Sequence, residues 1–291
     1  MANAGTMKPS RRRPSLEAAD GVKIVRTPVF ATLSHRGRVR HSNQDACAAL
    51  PEVGAFVVCD GMGGAAGGEV ASRLATEAFL NYLAHAASTT PDATMPVRIT
   101  EAVQAANQAV FRHSCTSPSL YGMGTTLVAL LREEAITGSK LWIAHVGDSR
   151  CYRLRSGRLQ LLTRDHSLVE EQVRAGVLSQ MQASLSPMRN IITRAIGTQA
   201  TVEAEISSCD AQPDDLYLLA SDGLSRELDE VAIERIVSSE ASRTTFAADR
   251  GLAKAGQRMK AVLETTCHAL VDAANAHGGH DNITVLLVAC P

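Results

Sequence analysis

The chain has 291 residues, of which 45% are hydrophobic and 20% charged, and its formal net charge is −1 at pH 7. This composition is typical of a globular protein with a sizeable core, not of a disordered chain. The balanced charge argues against nucleic acid or an anionic membrane as partner, and the 3% of aromatic residues argues against a stacking surface for single strands.

The sequence also lacks the usual marks of export and covalent cross-linking. It contains no run of 18 apolar residues, and its first residues have no apolar core of a secretory signal. Seven cysteines occur without a CxxC pair, which predicts neither a disulfide framework nor a thiolate zinc site. We therefore expect a cytoplasmic protein.

Along the chain, a polar start gives way to short apolar runs. Residues 1–25 have no apolar periodicity and include the run Arg11-Arg12-Arg13, so we expect a flexible N-terminal tail before one domain over 26–291. Apolar runs bounded by turn residues predict buried strands at 55–59, 127–131, 141–146, 216–220 and 283–289. A polar turn at 155–158 between two further apolar runs, 151–154 and 159–162, predicts a hairpin.

Stretches with helical spacing of apolar residues separate these strands, at 68–86, 97–113, 167–175, 229–238 and 263–276. Helices and strands do not alternate strictly, and two long helices follow one another between strands. This order favours an α+β domain in which helices cover antiparallel sheets. Residues 239–260 are weakly patterned, so we expect an inserted loop there.

One feature recurs beside the predicted strands, namely an aspartate where the strand meets solvent: Asp60, Asp148, Asp222 and Asp281. Four carboxylates that converge would repel one another and raise each other's pKa, and such groups usually bind cations. Hard oxygen ligands select Mg²⁺ or Mn²⁺. Taken alone, each aspartate is more simply explained as a common turn residue. Gly61 and Gly223 could then be turn glycines with positive φ, or alternatively positions where a metal approaches the backbone carbonyl closely.

Other residues carry weaker signals. Arg40 lies just before a short predicted strand and could bind two phosphate oxygens at once, or be an ordinary surface arginine. The glycine-rich stretch 61–67 is similar to a dinucleotide-binding turn, but no second strand ending in an acidic residue follows about 20 residues later. The HxxH spacing at 277–280 and the sequence 165–167 predict a loop and a helix cap, respectively. No cysteine has an arginine six residues later, which excludes a cysteine-dependent phosphatase motif.

Eight motifs follow one another in a specific order: RHSNQD at 40–45, DGMGG at 60–64, GMGTT at 122–126, VGDSR at 146–150, TRDHS at 163–167, ITRAIG at 192–197, SDG at 221–223 and GHDNIT at 279–284. By these motifs the sequence resembles the metal-dependent serine/threonine protein phosphatases, the PPM or type 2C family, in its compact bacterial form. The resemblance covers about residues 30–290.

The resemblance implies a sandwich of two antiparallel β-sheets flanked by helices on both sides, in four αββα layers. It also implies hydrolysis of phosphoserine and phosphothreonine in proteins, by in-line attack of a hydroxide that bridges two Mn²⁺ or Mg²⁺ ions, with a weaker third ion in bacterial members. The substrates would be phosphorylated proteins, made by a serine/threonine kinase.

Site residues follow from the same resemblance. Asp60 would bridge both ions, Asp222 and Asp281 would hold the first, and the Gly61 carbonyl would help to hold the second. Asp148 would help to hold the third ion. Arg40 would bind the substrate phosphate, and residues 163–200 would form a flap beside the site.

Three residues depart from the family pattern. Gln44 stands where the family usually has Glu, Arg226 stands where many members have Asp, and Ala65 replaces a frequent His. None of these is a ligand of the two-ion core, so we expect an active enzyme with altered metal affinity. The alternative hypothesis is a catalytically impaired member that serves as a binding or regulatory module.

Overall fold

The structure is a computed structural model that describes residues 27–63, 67–89, 92–116, 118–135, 138–245 and 252–290. The expected tail at 1–25 and the position of Ala65 lie outside these residues. The strands, in chain order, are β1 (Val29–His35), β2 (Asp45–Leu50), β3 (Ala55–Met62), β4 (Gly124–Thr125), β5 (Leu127–Ala135), β6 (Gly138–Val146), β7 (Arg150–Arg155), β8 (Arg158–Leu161), β9 (Glu205–Asp210), β10 (Leu216–Ala220) and β11 (Ile283–Ala289). The α-helices are α1 (Gly67–Thr89), α2 (Met95–Ser114), α3 (Leu168–Arg174), α4 (Gln180–Leu185), α5 (Asp222–Ser225), α6 (Glu230–Thr245) and α7 (Leu252–Ala276).

The strands form two antiparallel sheets. The first has the order β1-β11-β10-β7-β8, and the second has the order β2-β3-β5-β6-β9, with β4 paired to the end of β3. Each pairing within the two sheets is antiparallel. The predicted hairpin joins β7 to β8, and its two central residues, Ser156 and Gly157, have φ of 51° and 76°, as a tight hairpin turn of this kind requires.

Side chains of the central strands alternate between two cores. In β3, Phe56 and Val58 point to the core between the sheets, whereas Ala55, Val57 and Cys59 pack against α1 and α2. The side chains of β11 alternate in the same way. Leu286 and Val288 point towards the second sheet, whereas Val285 and Leu287 pack against α6 and α7. Because both faces are covered, these strands are apolar throughout. The predicted four-layer αββα sandwich is confirmed.

The predicted central strands are present, and four strands of the described structure lie outside the apolar runs that predicted them, namely β1, β2, β4 and β9. Of these, β1, β2 and β9 each lie at the edge of a sheet, and β4 is a two-residue strand paired with the end of β3. An edge strand has one hydrogen-bonded neighbour and is partly exposed, so its sequence need not be apolar throughout. Thus β9 reads EISSCD, which has little strand signal.

The expectation of an inserted loop over 239–260 was wrong in most of that range. Helix α6 continues to Thr245, and α7 begins at Leu252, so only residues 246–251 lie outside the described structure. Outside this range, α6 and α7 bury Ile233, Val237 and Leu263 in the same core. This packing stabilises both helices, so they extend into residues whose own apolar periodicity is weak. In the described part of the chain, no helix is long and apolar enough to cross a bilayer.

Candidate metal centre and phosphate site

Antiparallel pairing places the ends of some strands beside the starts of others, and this brings the aspartates together. Asp60, near the end of β3, is the register partner of Asp45 at the start of β2. Asp222 lies two residues after the end of β10, and Asp281 lies two residues before the start of its antiparallel neighbour β11. The four side chains therefore meet at one end of the sandwich, although the sequence separates them by more than 200 residues.

Asp148 joins this group from the turn between β6 and β7. The turn is tied to β3 by Thr126, whose hydroxyl accepts a hydrogen bond from Asp60 N at 2.9 Å and lies 2.7 Å from Ser149 Oγ. His166 supports the other side, since Gly147 N donates to His166 Nδ1 at 3.2 Å and His166 N donates to Gly147 O at 2.9 Å. Burial, and then the neighbouring His145, lower the pKa of His166 to about 4, so its imidazole is a neutral acceptor.

The carboxyl groups lie close enough to perturb one another strongly. Burial, and then the charge of Asp222, raise the pKa of Asp148 to about 7. Burial also raises the pKa of Asp45 and of Asp222 to about 6 each. The pKa of Asp60 is well above its ordinary value, because of burial and then the charges of Asp45, Asp222, Asp148 and Asp281. The protein alone therefore stabilises the charged forms of these carboxyl groups less well than water does.

Three carboxylate oxygens in this cluster are buried and have no hydrogen-bond partner among the residues that the structure describes, namely Oδ1 of Asp45, of Asp148 and of Asp222. Buried polar atoms are normally satisfied, and unsatisfied ones commonly mark the position of an ion or a water. Oxygen donors of this type prefer hard divalent cations such as Mg²⁺ and Mn²⁺. The residues of the cluster therefore fit a site for such cations.

The glycines beside the aspartates have a role other than the turn geometry considered above. Neither Gly61 nor Gly223 has a positive φ. A Cβ on Gly61 would lie 2.0 Å from the carbonyl oxygen of Gly68, and a Cβ on Gly223 would lie 1.9 Å from that of Asn282. Both positions require glycine because neighbouring backbone segments pack against them at close range.

Two arginines contact the cluster. Arg40 Nη2 donates to Asp281 Oδ2 at 2.8 Å, and its side chain is 52% exposed, so it lies at the rim. Arg226 reaches inwards and contacts Asp148, Asp222 and Asp281. The structure thus brings together all the predicted site residues: the four aspartates, Gly61 and Arg40.

Sequence reasoning did not assign a role to two residues that build this site. Asp45 is a fifth carboxylate, and Ser221 Oγ donates to its Oδ2 at 2.8 Å. Asn282 holds the loop that carries Arg40, since its Nδ2 donates to Arg36 O at 2.9 Å and to Ser42 O at 2.8 Å. Asp45 begins the half-buried edge strand β2, whereas the four predicted aspartates flank strongly apolar strands. In an antiparallel sheet the start of one strand lies beside the end of its neighbour, and this relation places Asp45 next to Asp60.

The two weaker sequence signals, the HxxH spacing at 277–280 and the segment 165–167, have local structural roles. His280 Nδ1 lies 2.8 Å from Glu227 Oε1, and its side chain is 72% exposed. Ser167 caps α3, as predicted, by accepting a hydrogen bond from Glu170 N at 3.3 Å.

The segment 163–200 contains α3 and α4 and pairs with β4 through Thr125 and Ile196. Its action as a flap stays a prediction.

Comparison with known proteins agrees with this architecture. The sequence model described as Protein phosphatase 2C matches residues 34–270. A serine/threonine phosphatase, stp, of Listeria monocytogenes is 34% identical over 256 residues, which cover 87% of this chain and 92% of the relative. The protein phosphatase PstP of Mycobacterium tuberculosis is 35% identical over 259 residues, which cover 89% of this chain and 44% of the relative.

Solved structures extend the agreement to three dimensions. The crystal structure of the Mycobacterium tuberculosis phosphatase PstP superposes with a TM-score of 0.73 at 32% identity, covering 90% of this chain and 98% of that one. The catalytic domain of PstP in complex with two manganese ions superposes with a TM-score of 0.71 at 31% identity, covering 90% and 97%.

The fold and the matched family model together define the class. The chain belongs to the protein phosphatase 2C family, which confirms the resemblance drawn from the motifs. It is an enzyme of the protein serine/threonine phosphatase class.

Proposed function

We propose that this protein hydrolyses phosphoserine and phosphothreonine in proteins, and that it uses two Mn²⁺ or Mg²⁺ ions held by Asp60, Asp222, Asp281 and the carbonyl of Gly61. The observation that carries the proposal is the cluster of buried carboxylates with unsatisfied oxygens, beside a half-exposed arginine. A phosphomonoester is a dianion, so a site that recognises it must present positive charge. The ions, when bound, would supply that charge and acidify the attacking water.

The aspartates prepare the site for this charge. Their carboxyl groups hold protons more tightly than ordinary aspartates, because burial and mutual repulsion raise their pKa values. Cation binding would release those protons and relieve the repulsion. The backbone contacts around Gly61 and Thr126 hold the carboxyl groups in place before any ligand arrives.

Arg40 is the residue we assign to the substrate phosphate. Its guanidinium is at the rim and can form two parallel hydrogen bonds to phosphate oxygens. In the structure it donates to Asp281, so phosphate binding exchanges one anionic acceptor for another. The hydrogen bonds of Asn282 to the Arg40 loop keep this arginine next to Asp281.

We propose direct in-line attack of water on phosphorus, with release of the serine or threonine hydroxyl, and no covalent enzyme intermediate. Burial raises the pKa of the thiols of Cys59, Cys267 and Cys290 to about 12 each, so these cysteines are poor nucleophiles near neutral pH. An opposing serine/threonine kinase and a cytoplasmic location stay predictions.

The experiment that tests the proposal measures phosphate release from a phosphothreonine peptide with Mn²⁺, for the wild type and for Asp60→Asn. Loss of transition-state charge stabilisation worth several kcal/mol predicts a drop in kcat/KM of about a thousandfold. Asp229→Asn is the matched control, because Asp229 is exposed and asparagine caps a helix equally well.

Absence of turnover by folded wild-type protein with either Mn²⁺ or Mg²⁺ would refute the proposal in favour of the binding or regulatory module. Equal activity of Asp60→Asn and wild type would refute the assignment of the site.

A further inference from the structure

Arg226 lies inside the carboxylate cluster and not beside it. Its Nη2 contacts Asp222 and lies 3.7 Å from Asp148 Oδ2, while its Nη1 lies 3.4 Å from Asp281 Oδ2. One guanidinium therefore reaches three carboxylates that come from three separate segments of the chain. A metal ion bound jointly by those three segments would lie at a similar position.

The position of Arg226 is set by the backbone. It is the C-cap residue of α5, and its N–H donates to Asp222 O at 2.9 Å. Its side chain is 33% exposed, whereas those of Asp148 and Asp222 are 7% and 10% exposed. Burial lowers the pKa of Arg226, but the charges of Asp222, Asp148 and Asp281 outweigh this effect and raise it overall. The guanidinium thus stays charged in the site.

Asp148 has few other sources of positive charge. Among the described residues, Arg226 is the cation that lies within 4 Å of it, and Asp148 Oδ1 has no hydrogen-bond partner. A divalent ion bound jointly by Asp148 and Asp222 would lie next to the guanidinium, and two cations at such range repel strongly in a partly buried site. Arg226 and an ion would therefore compete for the same carboxylates.

We propose that Arg226 is a built-in cation that takes the place of an additional metal ion at Asp148. On this inference, which rests on the proposed function, the protein holds two ions on the side of Asp60, and the guanidinium neutralises Asp148 on the other side. A third ion does not fit this chain, and the departure at position 226 is the reason. Arg226 is accordingly a positioning residue that keeps Asp148 and Asp222 in place through charge.

The test is the number of Mn²⁺ ions bound per full-length chain, measured by equilibrium dialysis with metal analysis and by isothermal titration calorimetry. We expect two ions for the wild type and for Arg226→Lys, which keeps the positive charge. We expect three ions for Arg226→Asp, with the third at least tenfold weaker than the first two. Arg158→Asp is the matched control, because it makes the same charge change at an 86% exposed side chain in the β7–β8 hairpin, and it should bind two.

The outcomes separate the inference from the proposed function. Two ions in both wild type and a folded Arg226→Asp, checked by circular dichroism, would overturn the role of Arg226 and leave the phosphatase site intact. Three ions in the wild type would also overturn it. No ions in the wild type would refute the metal site itself. If Arg226→Asp does not fold, Arg226→Gln serves in its place, with three ions again expected and two ions again contradicting the inference.

Discussion

Strand β10 carries an aspartate at each end, and the two have opposite surroundings. Asp215, just before the strand, accepts hydrogen bonds from Arg155 Nε at 2.7 Å and Nη2 at 2.6 Å, from Gln212 N at 2.9 Å and from Tyr217 OH at 3.1 Å. Asp222, just after the strand, has a buried Oδ1 without a hydrogen-bond partner in the described part of the chain, and several carboxylates lie around it.

The acidities reflect this difference. Burial raises the pKa of Asp215, but the hydrogen bonds from Arg155, Gln212 and Tyr217 outweigh it and bring the pKa below its ordinary value. Burial raises the pKa of Asp222 to about 6, and the attraction of Arg226 does not cancel this. A satisfied carboxylate stabilises the fold, whereas an unsatisfied one is held by the rest of the fold and is available for a ligand.

The largest expected effect on stability is at the start of β10, where the carboxylate of Asp215 has its hydrogen-bond partners. Asp215→Asn breaks a buried ion pair and leaves the guanidinium of Arg155 without its carboxylate, so the free energy of unfolding should fall by about 3 kcal/mol at pH 7. Urea denaturation measures this fall, and the activity of the folded variant should be unchanged. The exposed neighbour provides the control, since Asp214→Asn should change stability by less than about 0.5 kcal/mol.

The sign of the pH effect sharpens this prediction. Because the pKa of Asp215 is lower in the folded state, its contribution is present above the pKa of the unfolded chain and is lost as the pH falls through the folded-state pKa. The difference between wild type and Asp215→Asn should therefore shrink in acid. A difference that grows in acid would contradict the assigned ion pair.

Mn²⁺ bound at the Asp222 end of β10 should raise the free energy of unfolding by an amount similar to the loss in Asp215→Asn. A ligand at 100 times its dissociation constant stabilises the native state by about 2.7 kcal/mol per site. We expect this increment in the wild type and, unchanged, in Asp215→Asn, because the two ends of β10 share no partner. Asp222→Asn should lose most of it. Denaturation curves with and without Mn²⁺ measure the increment, and an equal gain in Asp222→Asn would remove that residue from the metal site.

The smallest effect is expected for Asp222→Asn without metal, and it has the opposite sign to that of Asp215→Asn. The folded-state pKa of Asp222 is raised to about 6, so stability is fully present below the unfolded pKa near 4 and declines as the pH rises towards 6. A shift of about two pKa units corresponds to at most about 2.7 kcal/mol, so removing the charge should raise the free energy of unfolding by about 2 kcal/mol at pH 7 and change it little at pH 3. Urea denaturation in a chelator measures both values, and destabilisation at pH 7 would contradict the predicted strain.

Much of the fold could be predicted because central strands are covered on both faces. The apolar runs that became β3, β5, β6, β10 and β11 stood out from the polar segments around them. The edge strands β1, β2 and β9 did not, because pairing to a neighbour and not their own composition makes them strands. The same holds for residues 239–245 and 252–260, which are helical in α6 and α7 without a strong apolar period.

The candidate site was predictable in its residues and less so in its connections. Asp60, Asp148, Asp222 and Asp281 share a local pattern that the sequence displays, as does Arg40 through its motif. The pairing of Asp45 with Asp60 and the reach of Arg226 to three carboxylates depend on the register of β2 with β3 and on the path of α5. Contacts between residues so distant in the chain have no local signal.

The sequence by itself determined the layers of this protein, the family to which it belongs and the type of side chain that its site contains. Apolar runs, turn residues and ordered motifs are local properties, and they survive without knowledge of the fold. Only the tertiary structure decided which aspartate is satisfied and which is not, because the free energy of a buried charge depends on the partners that the fold brings to it. For that reason Asp215 and Asp222, one strand apart, serve opposite purposes.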